Sequence, residues 1–211
     1  MSDAKSGLRR RMRATLATVP ADEAESAGIA VAHRVAALSI WSAPTTVALY
    51  ASLPGELATR TLIEAAWQAG HRVLLPRVVG PGVLVFAEHR DGAPLAKGAF
   101  GVAEPGEGAP VVGLAEAQLI AVPGLAFDRL GGRLGRGAGY YDRALASLGP
   151  PRAAASETAA GRVAPRAIGL AFDRQLVASV PMDAHDVRLD AVATPSALHL
   201  LGGTGEARSQ G

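Results

Sequence analysis

The densest run of residues able to do chemistry lies between Leu119 and Asp142, LIAVPGLAFDRLGGRLGRGAGYYD. The apolar stretch Leu119–Val122 reads as a buried strand, and Tyr140–Leu148 reads as a helix closed by Gly149 and Pro150. Between them lie Gly131, Gly132, Gly135, Gly137 and Gly139. Such a loop allows close backbone approach, so successive amides can converge on an anion, and the start of the following helix adds its dipole. Arg129, Arg133 and Arg136 bring positive charge to the same segment, which makes phosphate its natural ligand. Common phosphate motifs do not fit. A dinucleotide fingerprint on Gly135 and Gly137 needs glycine where Tyr140 stands, and a P-loop on Gly132 and Gly137 needs lysine where Ala138 stands. On residue types alone the segment is either an anion cradle or a plain flexible loop.

Other groups could join this chemistry. Lys5 and Arg9 are one helical turn apart and can face one point, although Arg10, Arg11 and Arg13 beside them also suit a solvated basic face. Glu56 follows the apolar run Thr46–Ala51, where α/β sheets present ligand-binding loops. Asp142 sits just beyond the loop, where a carboxylate can meet a phosphate-bound cation. Phe100 and Tyr140 could pack against a flat ring or simply belong to the core. His33, His71, His89, His185 and His199 show no metal-ligand spacing. There is no cysteine, hence no disulfide, thiolate zinc site or cysteine nucleophile, and no G-x-S-x-G elbow.

The elements that must position these groups alternate between helix and strand. Residues 4–18 form an amphipathic helix on Leu8, Met12 and Leu16, ended by Pro20. A second helix runs from about Ala21 to Leu38 with Ile29, Ala32, Val35 and Ala36 inward. Thr46–Ala51 is a strand, Thr59–Gly70 a helix, His71–Leu75 a strand halted by Pro76, and Val83–Phe86 and Ala167–Ala171 further strands. This pattern predicts one α/β domain over residues 1–195, with a mainly parallel central sheet flanked by helices on both faces. Pro150–Pro165 reads as a surface loop and 196–211 as a flexible tail.

With 49% hydrophobic and 19% charged residues, the chain has material for a real core. Gly 25 and Pro 14 form no Gly-X-Y period, which excludes collagen. Net charge is only +2, so nucleic acid is permitted as a partner and not demanded. The N-terminus is basic, but Ala14–Glu23 is too short and polar for a signal peptide. The uncharged run Val35–Gly55 is broken by serines, threonines and prolines, so no membrane segment is expected and the cytoplasm is the expected location.

The segment LIAVPGLAFDRLGGRLGRGAGYYDR closely resembles the signature of the 5-formyltetrahydrofolate cyclo-ligase (5,10-methenyltetrahydrofolate synthetase) family. The resemblance extends to Lys5–Arg9, to Tyr50–Glu56 with Thr59, and to Phe100 ahead of Glu104-Pro105. It resumes at Ile168–Phe172, Gln175, Val180-Pro181, His185-Asp186, Asp190 and Thr194, covering about residues 4–195 in matching order. It implies a single α/β domain that uses ATP and Mg²⁺ to convert 5-formyltetrahydrofolate to 5,10-methenyltetrahydrofolate. It also implies that Lys5 and Arg9 reach the ATP phosphates and that Arg133, Leu134, Gly135, Arg136, Gly137, Ala138, Gly139, Tyr140 and Tyr141 form the nucleotide loop. Folate contacts fall on Ala51, Glu56, Phe100 and the stretch Gly135–Tyr140, and metal contacts on Asp142 and Asp186, with Asp190 as the alternative to the latter. Arg136, Lys5 and Arg9 are the expected catalytic cations. Ala138 departs from the lysine or glycine many relatives carry, which removes a charge from the loop. The expected partners are the folate and ATP, acting on a monomer without nucleic acid or membrane. The competing readings are a basic nucleic-acid-binding protein, poorly served by so few aromatics, and a kinase-like enzyme for another small molecule.

Overall fold

The computed structural model of the chain describes residues 3–148 and 167–201. Helix α1 (Asp3–Ala17) buries Leu8, Met12 and Leu16, and the same spacing carries Lys5 onto the buried face. Helix α2 (Ala21–Ala36) buries Ala27, Val31, Ala32 and Val35. Ile29, expected inward, is 44% exposed because it sits about 200° around the helix from Ala27; Ala36 is half-buried. Strand β1 (Thr46–Ala48) is shorter than the apolar run that suggested it. Beyond it the Leu49 amide still donates to the Leu74 carbonyl at 2.9 Å, after which the chain turns into a loop. Helix α3 (Arg60–Gln68) follows.

Strand β2 (Arg72–Gly80) does not halt before Pro76 but runs through it. The Leu74 carbonyl faces β1, so residue 76, two further on, faces the same side. There β1 has already ended and no ladder bond needs the missing N–H. Next come β3 (Val83–Glu88), a small hairpin of β4 (Leu95–Lys97) and β5 (Ala103–Pro105), and β6 (Val111–Val112). They are followed by β7 (Leu119–Val122), a second hairpin of β8 (Ala126–Phe127) and β9 (Arg133–Leu134), and α4 (Tyr140–Ala146). Strands β10 (Ala167–Leu170), β11 (Ala191–Ala193) and β12 (Leu198–Leu200) complete the described chain.

Eight strands form one sheet in the order β12-β11-β10-β7-β1-β2-β3-β6. The five from β11 to β2 are mutually parallel, β12 and β3 run against them on either side, and β6 at the far edge pairs antiparallel with β3. Alternation sorts the strand residues cleanly. Val47, Val73, Leu119, Ala121 and Ile168 pack with α1, α2 and α3, whereas Ala48, Leu74, Ile120, Val122 and Val192 pack on the α4 side. The expected α/β architecture is therefore the observed one. One boundary differs from the sequence expectation of a tail over 196–211: β12 lies within it and pairs with β11. The Pro150–Pro165 loop lies outside the described residues. Among the described residues no helix is long and apolar enough to cross a membrane.

Candidate active site

After β1 the chain runs on to β2 on one side, while β7 flanks β1 on the other, so the order reverses between β1 and β7. Open α/β sheets bind ligands at the carboxyl ends of strands at such a point. Here a cavity of about 470 Å³ is lined by Tyr50, Ala51 and Glu56 from beyond β1 and by Pro123 and Gly124 from beyond β7. The hairpin β4–β5 covers it with Phe100, Val102 and Glu104. Phe100 sits in the turn with φ 58°, the only non-glycine among the described residues in the left-handed region, and its ring meets Tyr140 edge-on at 6.0 Å. It is 73% exposed, so it stands at the cavity mouth and is not a core aromatic.

A second cavity of about 280 Å³ lies behind the glycine-rich loop and has a different character. Lys5 and Arg9 of α1 enter it with Asp142, Asp183, His185 and Asp186. The Arg9 Nε donates to the Gly135 carbonyl at 3.1 Å, while its Nη1 is buried with no protein partner. Lys5 is buried between Asp183, at 2.7 Å, and Asp186. Burial pulls the Lys5 ammonium down, but those two carboxylates outweigh it and leave it above its ordinary pKa. Asp186 moves the other way. Burial pushes it up, and the Asp183 amide and Lys5 more than compensate, holding it below the usual carboxylate range.

The loop itself is braced from within. Arg133 is buried and donates to the Pro123 carbonyl at 3.1 Å and to Asp142 at 2.5 Å, with its Nε left unpartnered. Gly137 and Gly139 take φ of 114° and 69°, backbone turns that other residues resist. Arg136 swings toward the larger cavity, where its Nε and Nη2 both donate to Glu56 Oε1 at 3.0 and 2.8 Å. The other Glu56 oxygen accepts from the Leu53 amide. Tyr141 lies under the same cavity with its hydroxyl buried and unpartnered; burial, and after it the charge of Glu56, raises its pKa far above the usual value.

The profile of the 5-formyltetrahydrofolate cyclo-ligase family matches residues 1–195. The 5-formyltetrahydrofolate cyclo-ligase of Escherichia coli K12 is 36% identical over 155 residues, 72% of this chain and 78% of that protein. A probable 5-formyltetrahydrofolate cyclo-ligase of Schizosaccharomyces pombe is 31% identical over 201 residues, covering 92% and 97%. The chain belongs to the 5-formyltetrahydrofolate cyclo-ligase family. Its fold is similar to the solved structure of Aquifex aeolicus 5,10-methenyltetrahydrofolate synthetase, with a TM-score of 0.76, 29% identity and 98% of each chain covered.

Against the positions expected for this family of cyclo-ligases, the structure divides the loop between two cavities. Lys5, Arg9, Leu134, Gly137 and Asp186 border only the smaller one. Ala51, Glu56, Phe100, Arg136, Tyr140 and Tyr141 border only the larger. Arg136 and Tyr140, expected at both ligands, and Tyr141, expected at the nucleotide, thus line the larger cavity, while Gly137, expected at both, borders the charged one. Asp190 borders neither; its carboxylate accepts from the Ala167 amide at 2.7 Å. Arg13 and Glu104 are charged residues of the larger cavity to which the sequence reading gives no site role. Arg13 lies one turn beyond Arg9, reaches the larger cavity, and donates to the Arg136 carbonyl at 2.7 Å. The i, i+4, i+8 spacing of Lys5, Arg9 and Arg13 was the available signal. For Glu104 the available signal was its place in the resemblance, ahead of Pro105.

Proposed function

We propose that the protein acts, as a monomer in the cytoplasm, to convert 5-formyltetrahydrofolate to 5,10-methenyltetrahydrofolate with ATP and magnesium, releasing ADP and phosphate. The observation that carries this reading is a shared wall. Arg133, Gly135, Ala138, Gly139 and Asp142 border both cavities, so one loop separates an apolar, aromatic pocket from a cationic one. The first suits a pteridine and the second a polyphosphate, and across the wall their reacting ends can meet.

An amide oxygen is a poor leaving group, and phosphorylation makes it a good one. The formyl oxygen bonds to the γ-phosphorus as the bond to ADP breaks. N10 then attacks the formyl carbon, loses its proton, and phosphate departs as the ring closes. The protein's share is alignment and charge neutralisation. Lys5 and Arg9 supply cations to the phosphates, the unpartnered Arg9 Nη1 being ready to donate. Arg133 keeps Asp142 and the loop in place. Asp142 and Asp186 suit a hard divalent cation, because each has one carboxylate oxygen outside the hydrogen bonds described above. Among the described residues there is no group of three or more candidate ligands, so such an ion would take its other ligands from phosphate and water. Held by those two carboxylates, a magnesium ion would supply charge neutralisation to the phosphates.

Purified protein mixed with 5-formyltetrahydrofolate, ATP and magnesium should develop the methenyl absorbance with one ADP formed per product. ADP release without that chromophore would point to another phosphoryl acceptor and sink the reading.

A further inference from the structure

Four charged side chains are buried among the described residues: Lys5, Glu104, Asp128 and Arg133. Three are compensated. Lys5 lies between two aspartates, Arg133 pairs with Asp142, and Asp128 accepts from the amides of Leu130, Gly132 and Val180. Glu104 differs. It sits in the middle of β5, is 6% exposed and lines the larger cavity, yet no described side chain or amide bonds to its carboxylate.

Its placement is built into the hairpin. Gly98, whose amide donates to the Val102 carbonyl at 2.8 Å, lies directly against the carboxyl group. A Cβ at position 98 would stand 2.1 Å from the Glu104 Cδ and 2.2 Å from Oε2, so a larger residue there would swing the flexible carboxylate out of this place. A deeply placed carboxylate that faces a cavity and has no protein donor of its own is open to donors that a ligand brings. The complement of a carboxylate in an apolar cavity is a pair of coplanar N–H groups. A reduced pterin has that pair, N3–H beside the 2-amino group. The other carboxylate in this cavity, Glu56, already accepts from Arg136 and the Leu53 amide.

We infer that Glu104 binds the substrate through the amino-pyrimidine edge of its pterin, a specificity-determining contact that rests on the folate reading above. The contact explains why a buried acid is kept on a strand whose neighbours Ala103 and Pro105 are apolar.

The test is calorimetric binding of 5-formyltetrahydrofolate, and separately of ATP, to wild type, Glu104→Gln and Glu104→Leu, with thermal unfolding of each. Folate affinity should fall at least about tenfold in both variants, the scale of one charge-assisted hydrogen bond. ATP affinity should hold, and the melting temperature should stay level or rise, since no hydrogen bond within the described protein is lost. A 2-desamino analogue should bind wild type as weakly as 5-formyltetrahydrofolate binds Glu104→Gln, and the variant should lose nothing further with it. Unchanged folate affinity in Glu104→Gln overturns the contact while leaving the cyclo-ligase reading intact. A drop in melting temperature with parallel loss of both ligands overturns it in favour of a structural role. A wild type that binds no reduced folate overturns both.

Discussion

Arg136 and Glu56 meet across the larger cavity, and their pairing changes what each residue is expected to do. With both guanidinium bonds on one carboxylate oxygen, Arg136 orients Glu56 and ties the glycine-rich loop to the loop beyond β1. Arg136→Ala should lower kcat/KM for 5-formyltetrahydrofolate at least about tenfold, the scale of a lost charge-assisted bond, while KM for ATP stays put. The double variant with Glu56→Gln should lose clearly less than the two single losses combined, because the pair acts as a unit. Strict additivity in steady-state kinetics would separate their roles. Asp142 carries two burdens. Asp142→Asn should abolish most turnover and also cost about 1–3 kcal/mol in urea unfolding, because the buried Arg133 loses its only carboxylate partner among the described residues. Normal stability would show that Arg133 is satisfied elsewhere.

The hairpin β8–β9 is held to the segment that carries Asp183 and Asp186 by one side chain. Asp128 Oδ1 accepts from the Leu130 and Gly132 amides at 2.8 Å, and Oδ2 accepts from the Val180 amide at 2.7 Å. Removing it leaves three amides to be resatisfied and frees two walls of the charged cavity from each other. Asp128→Ala should therefore destabilise the fold by about 3 kcal/mol or more and, in the surviving folded protein, weaken ATP more than folate. Equal weakening of both ligands would mean that the brace serves the whole sheet edge. The β4–β5 hairpin stores strain of the opposite kind. Phe100 in the left-handed region costs on the order of 1–3 kcal/mol. Phe100→Gly should leave the melting temperature level or raised yet weaken folate binding, and a large loss of stability would mean that the exposed ring packs into the fold after all.

Lys5 lies on the first helix and Asp183 and Asp186 near the other end of the chain, so their cluster joins distant parts of the molecule. Asp186 is held low, so its contribution to stability is present above its ordinary pKa of 3.8 and fades as pH falls through its lower folded value. Lys5 is held high, so its contribution is complete below 10.5 and fades as pH rises through its higher folded value. The urea midpoint should fall at both extremes, and Lys5→Met should blunt the alkaline limb at a cost of about 1–3 kcal/mol near neutrality. Parallel pH profiles for variant and wild type would show that the cluster is not the source.

Features encoded within one or two turns of chain were legible in the sequence alone. The Leu8, Met12, Leu16 stripe specified α1 and its inward face, the apolar runs marked β1, β7 and β10, and the string from Leu119 to Arg143 carried both the loop and the family. Local periodicity and side-chain type carry that information without reference to the rest of the fold. What depended on distant chain was hidden. Pro76 is tolerated in β2 only because β1 ends beside it, and β12 is a strand only because β11 offers an edge. Arg136 and Gly137 are consecutive yet border different cavities, since the loop is the wall between them. Glu104 stands in a short polar-apolar run of the family motif, and only the folded hairpin, which lays it deep beside the larger cavity and against Gly98, shows that its carboxylate faces a ligand space.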